Sequence, residues 1–185
     1  MDFEKKMILD TERLYLREMT IDDFPLLCKY LQDIEVMYAF DHAFSDSEVR
    51  EGIEKQLKSY KENGFGIWAV ILKENGELIG HCGLSMQPCE DKEVLEIGYI
   101  FHKQYWHKGY ATEAAAACRE YAFNVLKADE VFSLIRDTNI PSQNVAKRNG
   151  MSKRGSFVKH YYGIDMMHYI FSAKRTFVLD GAEES

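Results

Sequence analysis

Leu14 and Leu16 alternate with Arg13, Tyr15 and Arg17, and this period of two predicts a strand with one buried face. The period then lengthens: Thr20 caps a helix that carries Phe24, Leu27, Cys28 and Leu31 along one side. Ser45 and Glu48 form a capping-box pattern opening a second helix, which runs through Ile53 and Leu57 and is closed by Asn63 and Gly64. Two apolar runs, residues 66–73 and 77–86, flank Glu74, Asn75 and Gly76, a strong hairpin signal, so the sheet starts antiparallel. The run VLEIGYIF, residues 94–101, predicts a further strand. A loop joins it to a helix over 111–126, where Ala114, Ala115, Cys118, Tyr121, Ala122 and Val125 recur at helical spacing. Val131, Ser133 and Ile135 mark another strand, and a short helix over 142–149 stops at Gly150. Two closing strands, GSFVKHYY and MMHYIFSA, lie either side of Gly163. The order β-α-α-β-β-β-α-β-α-β-β, without repeat or linker, predicts a single mixed α/β domain over residues 1–185.

Composition narrows the setting. A chain of 185 residues with 46% hydrophobic positions has enough apolar surface for one full core. Its formal charge of -7 argues against a nucleic-acid or anionic-membrane partner, which would require clustered Lys and Arg, and fits a cationic substrate somewhat better. Cys28, Cys82, Cys89 and Cys118 show no C-x-x-C spacing and sit among apolar residues, as reduced core thiols of a cytoplasmic protein do. The N-terminus has no secretory apolar stretch, and the small acidic tail from Asp180 to Ser185 is expected to be disordered. The histidines His42, His81, His102, His160 and His168 lack metal-ligand spacing, so no metal is expected.

Residues 105–114 read YWHKGYATEA and set a glycine-containing loop between the 94–101 strand and the alanine-rich helix. The first N–H groups of a helix lack intrahelical partners and carry partial positive charge, so this junction suits an anion, with Gly109 allowing close approach. Neither G-x-G-x-x-G nor G-x-x-x-x-G-K-[ST] is present, which excludes two familiar nucleotide loops. Taken by itself the stretch also reads as a plain helix start preceded by a glycine.

The stretch resembles the acyl-CoA pyrophosphate loop of the GNAT acetyltransferase superfamily, Q/R-x-x-G-x-G/A, with Gly109, Tyr110 and Ala111 in its last three places. Trp106 replaces the usual Gln or Arg, as in the branch of Rim-type ribosomal-protein acetyltransferases, and His107 occupies a place often held by Gly. Residues 137–151, DTNIPSQNVAKRNGM, are similar to the family's later cofactor segment, with Asn139, Ser142 and Gly150 in register. Residues 11–23, TERLYLREMTIDD, resemble the opening of the Rim-type branch, so the likeness extends to about residue 176. It implies a mostly antiparallel, splayed sheet of six to seven strands flanked by about four helices. It also implies acetyl-CoA as co-substrate, an amine acceptor that is a protein N-terminus or a small molecule, and a monomer or homodimer.

By the same resemblance, the strand before the loop, including Tyr99, Ile100 and Phe101, pairs with the pantetheine arm, and Gly98 marks a bulge, a close approach or a packing glycine. Backbone from Trp106 and His107 through Gly109, Tyr110, Ala111 and Thr112 holds the pyrophosphate, while Lys108 adds a screened charge or faces solvent. Asn139 and Asn144 offer amides to the cofactor. Glu96 interrupts an apolar strand and is either a general base with a raised pKa or an outward-facing carboxylate. The tyrosine that serves as general acid in many relatives is Ala146 here, which shifts that role to Ser142, itself readable as only an N-cap; Tyr110, Tyr161 and Tyr162 are rivals. Tyr38, Phe40 and Phe44 line the acceptor side or belong to the core. With no Cys in either motif, direct attack without an acyl-enzyme is expected. A non-catalytic acyl-CoA sensor of the same fold is the alternative.

Overall fold

The computed structural model describes residues 6–176, so the acidic tail at 180–185 lies outside the described residues. One sheet has the strand order β1-β2-β3-β4-β5-β6-β8-β7. Its strands are β1 (Met7–Asp10), β2 (Leu14–Arg17), β3 (Ile67–Leu72), β4 (Leu78–Cys89), β5 (Lys92–Phe101), β6 (Glu130–Arg136), β7 (Ser152–Tyr161) and β8 (Ile164–Lys174). Neighbours are antiparallel throughout, except for β5 and β6, which run parallel. The sheet thus has eight strands where six to seven were expected. The addition is β1, whose four residues are too few for alternation to show and which is ordered by pairing with β2.

Four α-helices, α1 (Phe24–Leu31), α2 (Asp46–Asn63), α3 (Tyr110–Asn124) and α4 (Ile140–Arg148), complete the described domain. The capping box of α2 forms as expected: Ser45 Oγ accepts from Glu48 N at 3.3 Å, Glu48 Oε2 accepts from Ser45 N at 2.8 Å, and Gly64 closes the helix at φ 77°. Before α1, Thr20 leads into a 3₁₀ turn rather than the helix itself, and its N–H donates to Asp23 Oδ2 at 2.8 Å. Asp23 also receives both terminal nitrogens of Arg17 at 2.8 Å, a buried bidentate pair anchoring α1 to β2.

The sheet divides the core in two. On one face Ala114, Ala115, Cys118 and Ala122 of α3 are fully buried with Leu14, Leu16, Trp68 and Ile97, the small side chains allowing close packing. Cys82 Sγ and Cys118 Sγ lie 3.6 Å apart in this core as thiols, well beyond bonding distance. On the other face α1 and α2 pack Leu27, Leu31, Val49 and Ile53 against Ala69 and Ile71 of β3. Among the described residues, the β5–β8 half of that second face has a smaller floor of Val94, Phe132 and Ile170 with no helix packed closely across it. The α1–α2 connection, residues 32–45, reaches over this half.

Candidate functional site

β5 and β6 share a single bridged pair, Glu96 with Phe132, and part beyond it. Two side chains occupy the places where backbone rungs would continue. Glu96 Oε1 accepts from Leu134 N at 3.0 Å, and Ser133 Oγ donates to Ile97 O at 2.9 Å. Because backbone groups of alternate residues face the same edge, Tyr99 and Phe101 turn their N–H and C=O toward the gap as Ile97 does. Phe101 O is taken by Trp106 Nε1 at 2.8 Å. Tyr99 is therefore the middle rung at the mouth of the splay. Its phenol donates to Ser142 O at 2.9 Å and is held well above the usual tyrosine range by burial. Gly98 is not a bulge: it stays in register with Gly83, and among the described residues a Cβ there would meet only Ile67 Cδ1 at 3.9 Å.

The loop after β5 turns tightly despite its histidine. His107 adopts φ 60° and Gly109 φ 81°, both left-handed, and α3 starts at Tyr110. For His107 this conformation costs about 1–2 kcal/mol. Arg13 of the β1–β2 turn holds the loop: Nη1 donates to Lys108 O at 2.8 Å, Nε to Glu113 Oε2 at 2.7 Å, and the guanidinium lies 4.5 Å from the centre of the Tyr110 ring. Glu113, in the first turn of α3, also accepts from Arg13 N at 2.8 Å and Thr11 Oγ1 at 2.7 Å. Burial tends to raise its carboxyl, but these donors outweigh that and hold it below the usual range.

Across the gap, α4 starts two residues earlier than the sequence suggests, at Ile140, with Asn139 as its N-cap. Asn139 Oδ1 accepts from Ser142 N at 3.3 Å and from Tyr38 OH at 2.8 Å. The reading of Ser142 as the cap is therefore corrected: an Asn before Ile-Pro caps as well and places the proline in the first turn. The Ser142 hydroxyl lies beside the Tyr99 phenol and, as a hydrogen-bond partner, slightly offsets the upward push of burial on it. Ala146 is 2% exposed and points into the α3 core.

These elements enclose one cavity of about 860 Å³, reached by Glu96, Tyr99, Ile100, Phe101, Trp106, His107, Gly109, Tyr110, Ala111, Thr112, Asn139, Ser142 and Asn144. Lys108 alone of the expected site residues does not line it; its side chain is exposed, with Nζ 5.6 Å from the Tyr105 ring centre. Half-buried Glu96 is pushed up to about 7 by burial, against the opposing effects of the Leu134 N–H and the Lys159 cation. Tyr38, Phe40 and Phe44 reach the same cavity from above, as does Tyr161, whereas Tyr162 turns away to donate to Glu48 Oε1 at 2.8 Å.

Residues 13–152 match the family described as the acetyltransferase (GNAT) domain. The chain belongs to the GNAT acetyltransferase family. YnaD of Bacillus subtilis, named an uncharacterized N-acetyltransferase, is 32% identical over 154 residues, covering 83% of this chain and 87% of its own. A GNAT-family acetyltransferase from Bacillus anthracis superposes with a TM-score of 0.77 at 27% identity, over 91% of this chain and 98% of that one. The RimL ribosomal L7/L12 acetyltransferase, solved with coenzyme A, shares the fold at a TM-score of 0.75 and 15% identity, over 91% and 98% of the two chains. This protein is accordingly an N-acetyltransferase of a family that uses acetyl-CoA.

Several cavity residues of this GNAT enzyme escape sequence reasoning. Register places Lys159 opposite Met166 and Arg136 opposite His168, so that all four share the open face with Glu96 and Ser85. Alternation within residues 155–162 would have grouped Phe157, Lys159 and Tyr161, but not shown which face looks onto the site. His168 Nδ1 donates to Met166 O at 3.0 Å, leaving Nε2 as an acceptor, and burial lowers its pKa. Among the described residues no cluster of His, Cys, Asp and Glu is suited to a metal, and no helix is long and apolar enough to cross a membrane.

Proposed function

We propose that the protein acetylates a primary amine by direct attack on acetyl-CoA within a ternary complex, and that the splay between β5 and β6 is the reaction centre. Acetyl-CoA supplies the acetyl thioester. The observation that carries the reading is the convergence on one cavity of an open strand rung at Tyr99, a left-handed loop ending in a helix N-terminus, and a carboxyl poised near neutrality. In this reading the N–H groups of residues 107–112 hold the pyrophosphate. The Tyr99 rung aligns the pantetheine arm, and the Asn144 amide and Asn139 Nδ2 are the side-chain donors beside it.

An ammonium cannot attack until it loses a proton. Glu96 is the base: its carboxylate takes that proton, directly or through one water, the amine nitrogen bonds to the acetyl carbon, and the carbon–sulfur bond breaks. After attack the nitrogen still has one proton to lose and the departing sulfur needs one; Ser142 relays it, giving its hydroxyl proton to sulfur and regaining one from the nitrogen. Its hydroxyl stands in the first turn of α4 beside the Tyr99 phenol, where the helix end favours developing negative charge. Peptide N-termini and small amines both satisfy this chemistry.

Release of free coenzyme A from acetyl-CoA, followed across peptides, polyamines, amino acids and aminoglycosides, tests the proposal. At least one amine class should accelerate release, with a matching gain in acetylated product. Clear acetyl-CoA binding with no acceleration by any amine would instead favour the sensor alternative, to which Ala146 in place of the usual tyrosine lends its support.

A further inference from the structure

Charge on the open half of the sheet is unevenly settled. Arg136 is satisfied: it pairs with Asp41 Oδ2 at 2.8 Å and donates to Ala39 O at 3.1 Å. Lys55 and Arg148 also reach the cavity, but from exposed positions on α2 and α4. Lys159 differs from all three. It rises half-buried from the floor on β7 and has no carboxylate within ion-pair distance among the described residues; the nearest aromatic face, Tyr161, lies 5.6 Å away. His168, on the same face, is neutral and presents an acceptor nitrogen, so it cannot serve as a second anchor for an anion. The carboxyl that Lys159 acts on, Glu96, lies beyond ion-pair distance, so the partly desolvated ammonium has no contact anion, and a bound carboxylate would supply one.

The space above this face is roofed. Tyr162, at the tip of the β7–β8 hairpin, donates to Glu48 Oε1 at 2.8 Å and stacks on His42 at 3.8 Å between ring centres. Phe40 meets Tyr161 at 5.8 Å, and the Arg136–Asp41 pair ties the α1–α2 connection down to β6. A compact acceptor fits beneath these contacts better than an extended chain.

We propose that the acceptor is a small amine that also bears a carboxylate, its amine directed to Glu96 and its carboxylate held by Lys159 Nζ. This rests on the acetyltransferase reading above and specifies its substrate class. Register supports the pairing of roles: Glu96 on β5 and Lys159 on β7 project from the same face, with β6 and β8 between them, so one short molecule spans from base to cation.

The test compares amines in matched sets, α- and ω-amino acids against their carboxamides and decarboxylated amines, by release of coenzyme A. For wild type, kcat/KM should favour the carboxylate member by about 10- to 100-fold, the worth of one charge-assisted hydrogen bond. In Lys159→Met that preference should collapse toward unity through a raised KM for the acid, and Lys159→Arg should restore most of it. Thermal unfolding of both variants at wild-type temperature would confirm that the fold is intact. Carboxamides or bare amines acetylated as well as the acids, or an acid-to-amide ratio unchanged in Lys159→Met, would overturn the carboxylate proposal and leave the acetyltransferase reading standing. If no member of these sets is acetylated while a peptide N-terminus, a polyamine or an aminoglycoside is, the carboxylate proposal falls and the acetyltransferase reading stands; if no amine of either screen is acetylated, both fall.

Discussion

Glu96 illustrates how one structural contact reshapes a side chain's acidity. Its Oε1 caps the Leu134 N–H that the parted strands leave open, and the burial required for that contact pushes its carboxyl up to about 7. If Glu96 is the base, kcat/KM should rise with pH along a limb centred near 7, and Glu96→Gln should flatten the limb and lower the rate by about 10²- to 10⁴-fold. Stability should respond in the opposite sense. A carboxyl raised in the fold favours its protonated form, so the native state bears no penalty below the ordinary carboxylate range. The penalty then grows as pH climbs to about 7 and is full above it. Glu96→Gln should therefore be more stable than wild type at about pH 8, by up to about 3 kcal/mol, with the advantage fading toward about pH 4; urea denaturation across pH measures it. His107 carries a different tension, a left-handed backbone under a side chain that resists it. His107→Gly should retain or raise the unfolding midpoint, whereas a β-branched Val at this position should lower stability by about 1–2 kcal/mol or more and weaken acetyl-CoA binding. A loss of stability in the glycine variant would show that the histidine side chain makes contacts worth more than the strain.

At the scale of elements, the site is a junction between termini. The α4 cap, the α3 start and the β1–β2 turn each contribute one hydrogen-bonded node, and two of these nodes predict separable phenotypes. Because Asn139 rather than Ser142 caps α4, Ser142→Ala should leave stability within about 0.5 kcal/mol while lowering kcat. Asn139→Ala should cost about 1 kcal/mol through the lost cap and also release Tyr38. Equal destabilisation by the two substitutions would overturn the assignment. Arg13, part of the first predicted strand and given no role at the site by the sequence, bridges to the loop through Lys108 O and Glu113. Its side chain is partly exposed, so the pair itself is worth little, but it ties down the loop that leads into α3. Arg13→Ala should raise KM for acetyl-CoA by about fivefold, in keeping with roughly 1 kcal/mol, with kcat changed much less. An unchanged KM would show that the loop holds its shape without the clamp.

For the molecule as a whole, the two helical layers meet the sheet differently, and pH probes the α1 side. His81 of β4 faces Tyr30 of α1 at 2.9 Å from Nδ1 and is pushed down to about 4 by burial. Its neutral form is favoured by folding, so stability is full above the unfolded value of about 6.5 and is lost as pH falls toward about 4. His81→Asn, which keeps an acceptor for the tyrosine, should flatten this acid-side loss in denaturation measured across pH. Local chemistry made much of the protein legible in advance. The α2 capping box, the Asn75-Gly76 hairpin, the alanine face of α3 and the two family motifs all depend on neighbours in sequence, and nearly every residue the motifs named lines the cavity. β1 was missed because its order comes from β2, and Ser142 was misplaced at the cap because proline and asparagine compete for the same turn. Nothing local could reveal that Arg13 reaches Lys108 O, that Glu96 and Ser133 wedge two parallel strands apart, or that Lys159 faces the cavity. By itself the sequence determined the elements apart from β1, their order and the family, since these rest on propensity, periodicity and motif. Tertiary structure alone decided the splay, the raised pKa of Glu96 and the cation on the cavity floor, because burial and register arise only when distant strands share one sheet.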